Sequence, residues 1–110
     1  MGETTGRFAI VAALVAALVA CGGKPESEVL AAAEEALASK DPGAAVVGLK
    51  AHLERQPESA AGRFLLGKAL LARGDATAAE IELAKAERLK HDVNQVAPER
   101  ARALVAAGDP

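Results

Sequence analysis

Tryptophan and tyrosine are absent from this 110-residue chain, and phenylalanine occurs only at Phe8 and Phe64. So few large rings exclude an aromatic core or a tyrosine-lined pocket, and no small-molecule substrate is expected. Cys21 is the single cysteine, which excludes a disulfide framework. Neither sign of charge dominates: 13 Lys and Arg stand against 15 Asp and Glu, a formal charge of −2. Such a balance builds no surface for a phosphate backbone, so no nucleic-acid partner is expected. His52 and His91 are far apart in sequence and neither belongs to an H-E-x-x-H pattern, so no metal site is expected. His52 reads as packed or hydrogen-bonded near a helix end, and His91 as lying near a helix C-terminus, where a cation is favourable. Glu34 and Glu35 are adjacent, diverge on a helix, and read as a solvated face. The chain is read as a non-enzyme without a cofactor.

What is present begins with an apolar run. Hydrophobic residues make up 51% of the chain, and one source is the unbroken stretch Phe8–Ala20 behind the polar opening MGETTGR. A spanning helix needs about 20 apolar residues, and this run is shorter. Its length and its flanking Arg7 match the h-region of a secretory signal peptide. Leu18-Val19-Ala20-Cys21 then resembles the bacterial lipobox, in which a branched apolar residue, a small-to-medium residue and Ala or Gly precede cysteine. An ordinary leader cut after Ala20 prefers a small residue at position 18, so Leu18 favours the lipoprotein reading. On this reading Met1–Ala20 is a lipoprotein signal peptide, cleaved before Cys21. The Cys21 thiol carries a covalent diacylglycerol, and residues 21–25 form the lipidated cysteine and its tether. Acyl chains contribute about 0.8 kcal/mol per buried methylene, so two or three of them hold a protein at a membrane. Gly22 stands where Asp signals inner-membrane retention. By resemblance to Gram-negative lipoproteins, the expected location is the cell envelope, on the periplasmic face of the outer membrane.

The second source of apolar residues is a repeat. Asp41, Asp75 and Asp109 recur at an offset of 34 residues and close the phrases AAAEEALASKD, LLGKALLARGD and ERARALVAAGD. Leu37, Leu71 and Val105 share the offset, as do Ala45 with Ala79 and Leu49 with Leu83. This is the period of the tetratricopeptide (TPR) repeat, two antiparallel helices per unit. The expected fold is therefore all-α, a TPR-like α-solenoid of helical hairpins spanning 26–57, 58–93 and an incomplete 94–110. Arg63, Leu70 and His52 depart from the pattern, which prefers Trp, Tyr and Ala there.

Local signals place the helices. The first is expected over about Glu26–Ser39, and Asp41-Pro42 caps and opens a second that runs to about Arg55. A third covers about Ser59–Arg73 and stops at Gly74; Asp75 caps a fourth that reaches about Lys90. Asp92 with Gln95 resembles a capping box, while Pro98 predicts a loose turn and a regular helix only from about Pro98 to Ala107. No segment alternates with period two, so strands are not expected. The third repeat stops where its second helix is due, and the chain reads as the N-terminal part of a longer array, the alternative being a short protein with the last helix as its cap.

Together the lipobox LVAC at 18–21, the repeat beginning just after GGK, PESAAGRFLLGKALLARGDATAAEIELAKAERL at 57–89 and the following PERARALVAAGD resemble the PEP-CTERM-system TPR-repeat lipoproteins, the PrsT family. The resemblance covers essentially the whole chain, which matches the N-terminal end of that longer array. It implies a scaffold associated with exopolysaccharide production and with sorting of PEP-CTERM proteins by exosortase.

TPR arrays bind extended or helical segments on the concave face formed by the first helix of each repeat. Carrying those positions over gives Leu30, Glu34 and Leu37, then Phe64, Lys68 and Leu71, then Arg102 and Val105 as a candidate protein-binding groove. The expected partners are thus a protein or peptide on that face and a membrane through the lipid anchor. Leu37, Leu71 and Val105 read equally as groove lining or as packing between helices. Phe64, the one aromatic after the leader, is the expected interface anchor or else core. Two further functions stay open: an assembly lipoprotein for outer-membrane proteins or pili, and a truncated fragment without independent function.

Overall fold

The computed structural model describes residues 23–108. Cys21, the lipobox residues Leu18, Val19 and Ala20, and the final Asp109-Pro110 lie outside the described residues. Within them the chain is all-helical, with five helices and no strand: α1 Glu26–Ala38, α2 Pro42–Arg55, α3 Ala60–Ala72, α4 Ala76–Arg88 and α5 Val93–Ala106. The connections 39–41, 56–59, 73–75 and 89–92 are too short to do anything but reverse the chain. Each helix packs on the next, and α3 also touches both α1 and α5, so the odd-numbered helices share one side.

The 34-residue offset reappears in the backbone. Lys40, Gly74 and Gly108 follow α1, α3 and α5 with φ of 60°, 91° and 84°. In each of the first two turns the next amide reaches back into the helix, Asp41 to the Ala36 carbonyl and Asp75 to that of Leu70. This is the Schellman closure, and it needs a left-handed residue at the stop. Starts are less uniform. Asp41 Oδ1 accepts from the Ala44 amide at 3.3 Å, and Ser59 Oγ from that of Gly62 at 3.0 Å. Asp75 makes no side-chain cap; its carboxylate turns to Arg73, 3.6 Å away.

Two expectations at the last helix are corrected. The capping box does not form: Asp92 Oδ1 accepts from the Asn94 amide at 2.9 Å, and Gln95 bonds His91 instead of closing back on the cap. Nor does a loose turn precede Pro98, because α5 starts at Val93 and carries Pro98 inside it. A proline there forfeits one hydrogen bond to the preceding turn. Val96, completely buried, fixes that first part of the helix against the core, and burying one such side chain contributes about 1.5–3 kcal/mol.

The core is built from small and branched side chains at repeated positions. Leu49 and Leu83 are fully buried, and so are Ala79, Ala69 and Ala103, with Ala45 nearly so. Gly67 shows why small residues are required. A Cβ at that position would stand 2.6 Å from Leu83 Cγ, so α3 and α4 approach to a distance only glycine permits. Arg63 ties the hairpin by polar contacts: its guanidinium donates to the Pro57 carbonyl and to Glu82 Oε2 at 3.0 Å. Arg100 does the same for α5, bridging Glu80 and Glu87 of α4. These two carboxylates, Glu80 foremost, hold the guanidinium's pKa above its ordinary value.

Candidate functional site

On the side shared by α1, α3 and α5 lies an open cleft of about 450 Å³. Its floor is Phe64, a residue 9% exposed, with Leu30 of α1 and Leu65 of α3 beside it. Phe64 sits where α3 turns its face toward the α4–α5 connection, and there His91 stacks on it, the centroids 4.4 Å apart and the planes 20° from parallel. The imidazole is held by its own neighbour: His91 Nε2 donates to Gln95 Oε1 at 2.7 Å. On the same ring Lys68 Nζ stands 5.6 Å from the Phe64 centroid, within cation–π range.

Charged groups rim this floor in an order set by the helices. Glu34 comes from α1, Lys68 from α3, and Glu99 with Arg102 from α5. Arg102 is already satisfied by Glu99, one turn earlier on its own helix at 2.8 Å. Among the described residues Glu34 and Lys68 make no ion pair. The cleft therefore offers one apolar floor and two uncommitted charges of opposite sign.

Of the groove residues expected from the sequence, Leu30, Glu34, Phe64, Lys68 and Arg102 meet at this cleft. Leu37 and Leu71 do not line it; both are half-buried and packed against the core. Val105 is 74% exposed and does not line the cleft; it belongs to a patch on α5 with Ala101, Arg102 and Ala106, so Arg102 is common to both. Sequence reasoning missed His91, Asn94, Gln95, Pro98 and Glu99 as cleft residues. The signal for them was the repeat itself: a third helix that packs on α3 must bring its own first turns to the cleft wall.

A second polar cluster joins three elements near the N-terminus of α1. Glu26 Oε1 accepts from Ser59 Oγ and lies 3.3 Å from His52 Nε2. His52 is 2% exposed, and its Nδ1 is buried without a partner. The Ser59 hydroxyl, followed by His52, holds the Glu26 carboxyl below its ordinary pKa against the opposing effect of burial. The Ser59 hydroxyl and the His52 imidazole thus meet the same carboxylate oxygen, Glu26 Oε1. The cluster is a tie between α1, α2 and the start of α3.

Among the described residues no group of three or more His, Cys, Asp or Glu is placed to hold a metal ion, and no helix is long and apolar enough to cross a membrane. Comparison of the chain with protein-family models, with curated proteins and with solved structures gives no match.

Proposed function

We propose that this protein is a lipid-anchored, TPR-like repeat scaffold that holds an extended or helical segment of a partner protein in the cleft across α1, α3 and α5. The observation that carries this reading is the meeting of Leu30, Glu34, Phe64, Lys68 and Arg102, from three helices one repeat apart, around a single concave surface. An apolar floor supplies affinity and flanking charges supply orientation, which is how short segments are recognised. The backbone repetition at Lys40, Gly74 and Gly108 and the paired burial of Leu49 and Leu83 support the solenoid. Helix-hairpin arrays bind along the concave side of such stacks. No reacting group is called for, and the role is non-catalytic.

The lipobox at Leu18–Cys21 places the scaffold, in this proposal, on the periplasmic face of the outer membrane through acylated Cys21. The resemblance to the PEP-CTERM-system lipoproteins directs it to exopolysaccharide production or export, or to exosortase-dependent surface sorting. Gene neighbourhood separates this pathway from assembly of outer-membrane proteins or pili: exosortase and glycosyltransferase genes support the first, secretin or barrel-assembly genes the second. The binding role is tested by affinity capture from envelope extracts with the wild-type chain and with Lys68→Glu. A partner retained by the wild type and lost with the variant supports the proposal; identical captured sets remove the cleft from it.

A further inference from the structure

Resting on the reading of Cys21 as the lipidated residue, we infer that the apolar groove between α1 and α2 seats one acyl chain of the protein's own anchor when the protein is away from a bilayer. The groove encloses about 520 Å³. Its walls carry small side chains, Ala32 and Ala36 of α1 facing Ala44, Gly48 and Ala51 of α2. Both walls are sides of helices, whose backbone donors and acceptors are already paired. Such a surface fits an occupant that forms no hydrogen bonds. Charge is confined to one end, where Lys24, Glu28 and Arg55 stand beside Gly23.

Gly48 points to an occupant. Glycine inside a helix is destabilising relative to alanine and calls for a reason. Gly67 has one in Leu83, but a Cβ on Gly48 would meet nothing within 4 Å. No contact among the described residues requires glycine there, whereas a chain lying along the groove does. The same face is filled in the second hairpin. At the 34-residue offset Ala32 and Gly48 become Leu66 and Glu82, which meet Lys50 and Leu53 of α2. Among the described residues no helix stands before α1 to do likewise.

The tether selects the lipid. On the lipoprotein reading the mature chain starts at Cys21, so the apolar group fixed nearest the groove is the acyl chain. Cys21 lies two residues ahead of Gly23, and two residues of chain reach at most about 7 Å. The thioether therefore falls at the charged end of the groove, and the apolar walls lead away from it. From Glu28 to Ala36 α1 rises about 12 Å, and Gly23 and Lys24 lengthen the groove beyond that. One leaflet of a bilayer is about 15 Å of hydrocarbon, so most of one acyl chain fits. Removing its methylenes from water drives the seating. The other chains of the anchor have no such seat, and the protein still seeks a membrane.

The test uses the full protein made in cells fed a fatty acid with a diazirine midway along its chain. It is purified in octyl glucoside, diluted well below the detergent's micelle concentration and irradiated. Tryptic mass spectrometry of the monomer band is expected to join the acylated segment 21–40 to segment 41–50, which carries Ala44 and Gly48. Gly48→Leu should lower that crosslink about fivefold, because a close-packed volume admits no second occupant. Val47→Leu, at an exposed position that does not line the groove, should leave it unchanged. Circular dichroism checks that both variants keep their helices. A labelled Cys21 whose crosslinks spread evenly over the helices, or ignore Gly48→Leu, overturns the seat and leaves the anchor standing. A covalent dimer in place of the monomer crosslink gives the chain to a second copy and also overturns it. Absence of label at Cys21 removes the anchor reading and the inference with it.

Discussion

Phe64 and His91, 27 positions apart, stack face to face with centroids 4.4 Å apart. The contact joins the middle of the chain to the connection that precedes α5, and both rings line the cleft. Such a pair contributes about 1 kcal/mol beyond the area it buries. His91→Ala should lower stability by roughly that amount, and by much less when Phe64→Leu is already present. Urea unfolding of the four chains in this cycle measures the coupling. Equal losses in both backgrounds would mean the stack is only proximity.

Phe64→Ala is a poor probe of binding, because the side chain is also core at 9% exposure. The substitution should cost about 3 kcal/mol of stability. Lys68→Glu, at a half-buried rim position, should leave the unfolding midpoint nearly unchanged while altering ligand binding. Thermal melts of the two variants side by side distinguish an anchor from a rim contact.

Gly67→Ala tests the closeness of α3 and α4. Alanine brings about 1 kcal/mol of helix propensity, but overpacking typically costs 1–3 kcal/mol. With Leu83 Cγ only 2.6 Å from the added Cβ, the net change should be destabilising. In a Leu83→Ala background the same substitution should become neutral or stabilising. Denaturant titrations that showed a gain in the wild-type background would contradict the packing described for this hairpin.

The left-handed stops offer a test in the opposite direction. Lys40 has φ of 60° where its repeat counterparts are Gly74 and Gly108. A side chain in that region costs about 1 kcal/mol, so Lys40→Gly should raise stability by up to that amount. A drop in the melting temperature would count against the closure assigned to α1.

Glu26 gives the pH dependence. Its pKa is depressed in the folded state, chiefly by the Ser59 hydroxyl and then by His52. A carboxylate with a lowered folded pKa binds fewer protons when native than when unfolded. It therefore adds stability above its unfolded value, near 4.5, and loses it as the pH falls through the lower folded value. Urea midpoints should fall in that acid range, and Glu26→Gln should remove part of the fall. An unchanged acid profile in the variant would rule Glu26 out as the responsible group.

Much of the fold was legible because each helix boundary rests on local chemistry. Asp41-Pro42 opens α2, Gly74 closes α3, and the alanine columns mark where helices meet. Illegible features came from competition between neighbours. Asp75 turned to Arg73, Gln95 turned to His91, and buried Val96 kept α5 helical ahead of Pro98. The site divided in the same way. Glu34, Lys68 and Arg102 follow from the repeat offset and meet at the cleft, whereas Val105 shares the offset of Leu37 and Leu71 and, like them, does not line it. The offset alone does not say which side of a helix its neighbour covers.

The anchor is tested apart from the fold. Cys21→Ser should abolish incorporation of labelled fatty acid and release the protein from the membrane fraction. Retained label would make Cys21 an ordinary cysteine behind a leader.

The central claim, that the cleft across α1, α3 and α5 is the binding face, is tested most directly by photo-crosslinking in intact cells. A benzophenone amino acid is placed in turn at Glu34, Lys68, Val47 and Ile81, the last two being exposed apolar positions outside the cleft. A discrete protein adduct from Glu34 and Lys68 but not from Val47 or Ile81 is the result expected. Adducts from Val47 and Ile81 alone would put the partner elsewhere on the molecule and contradict the account.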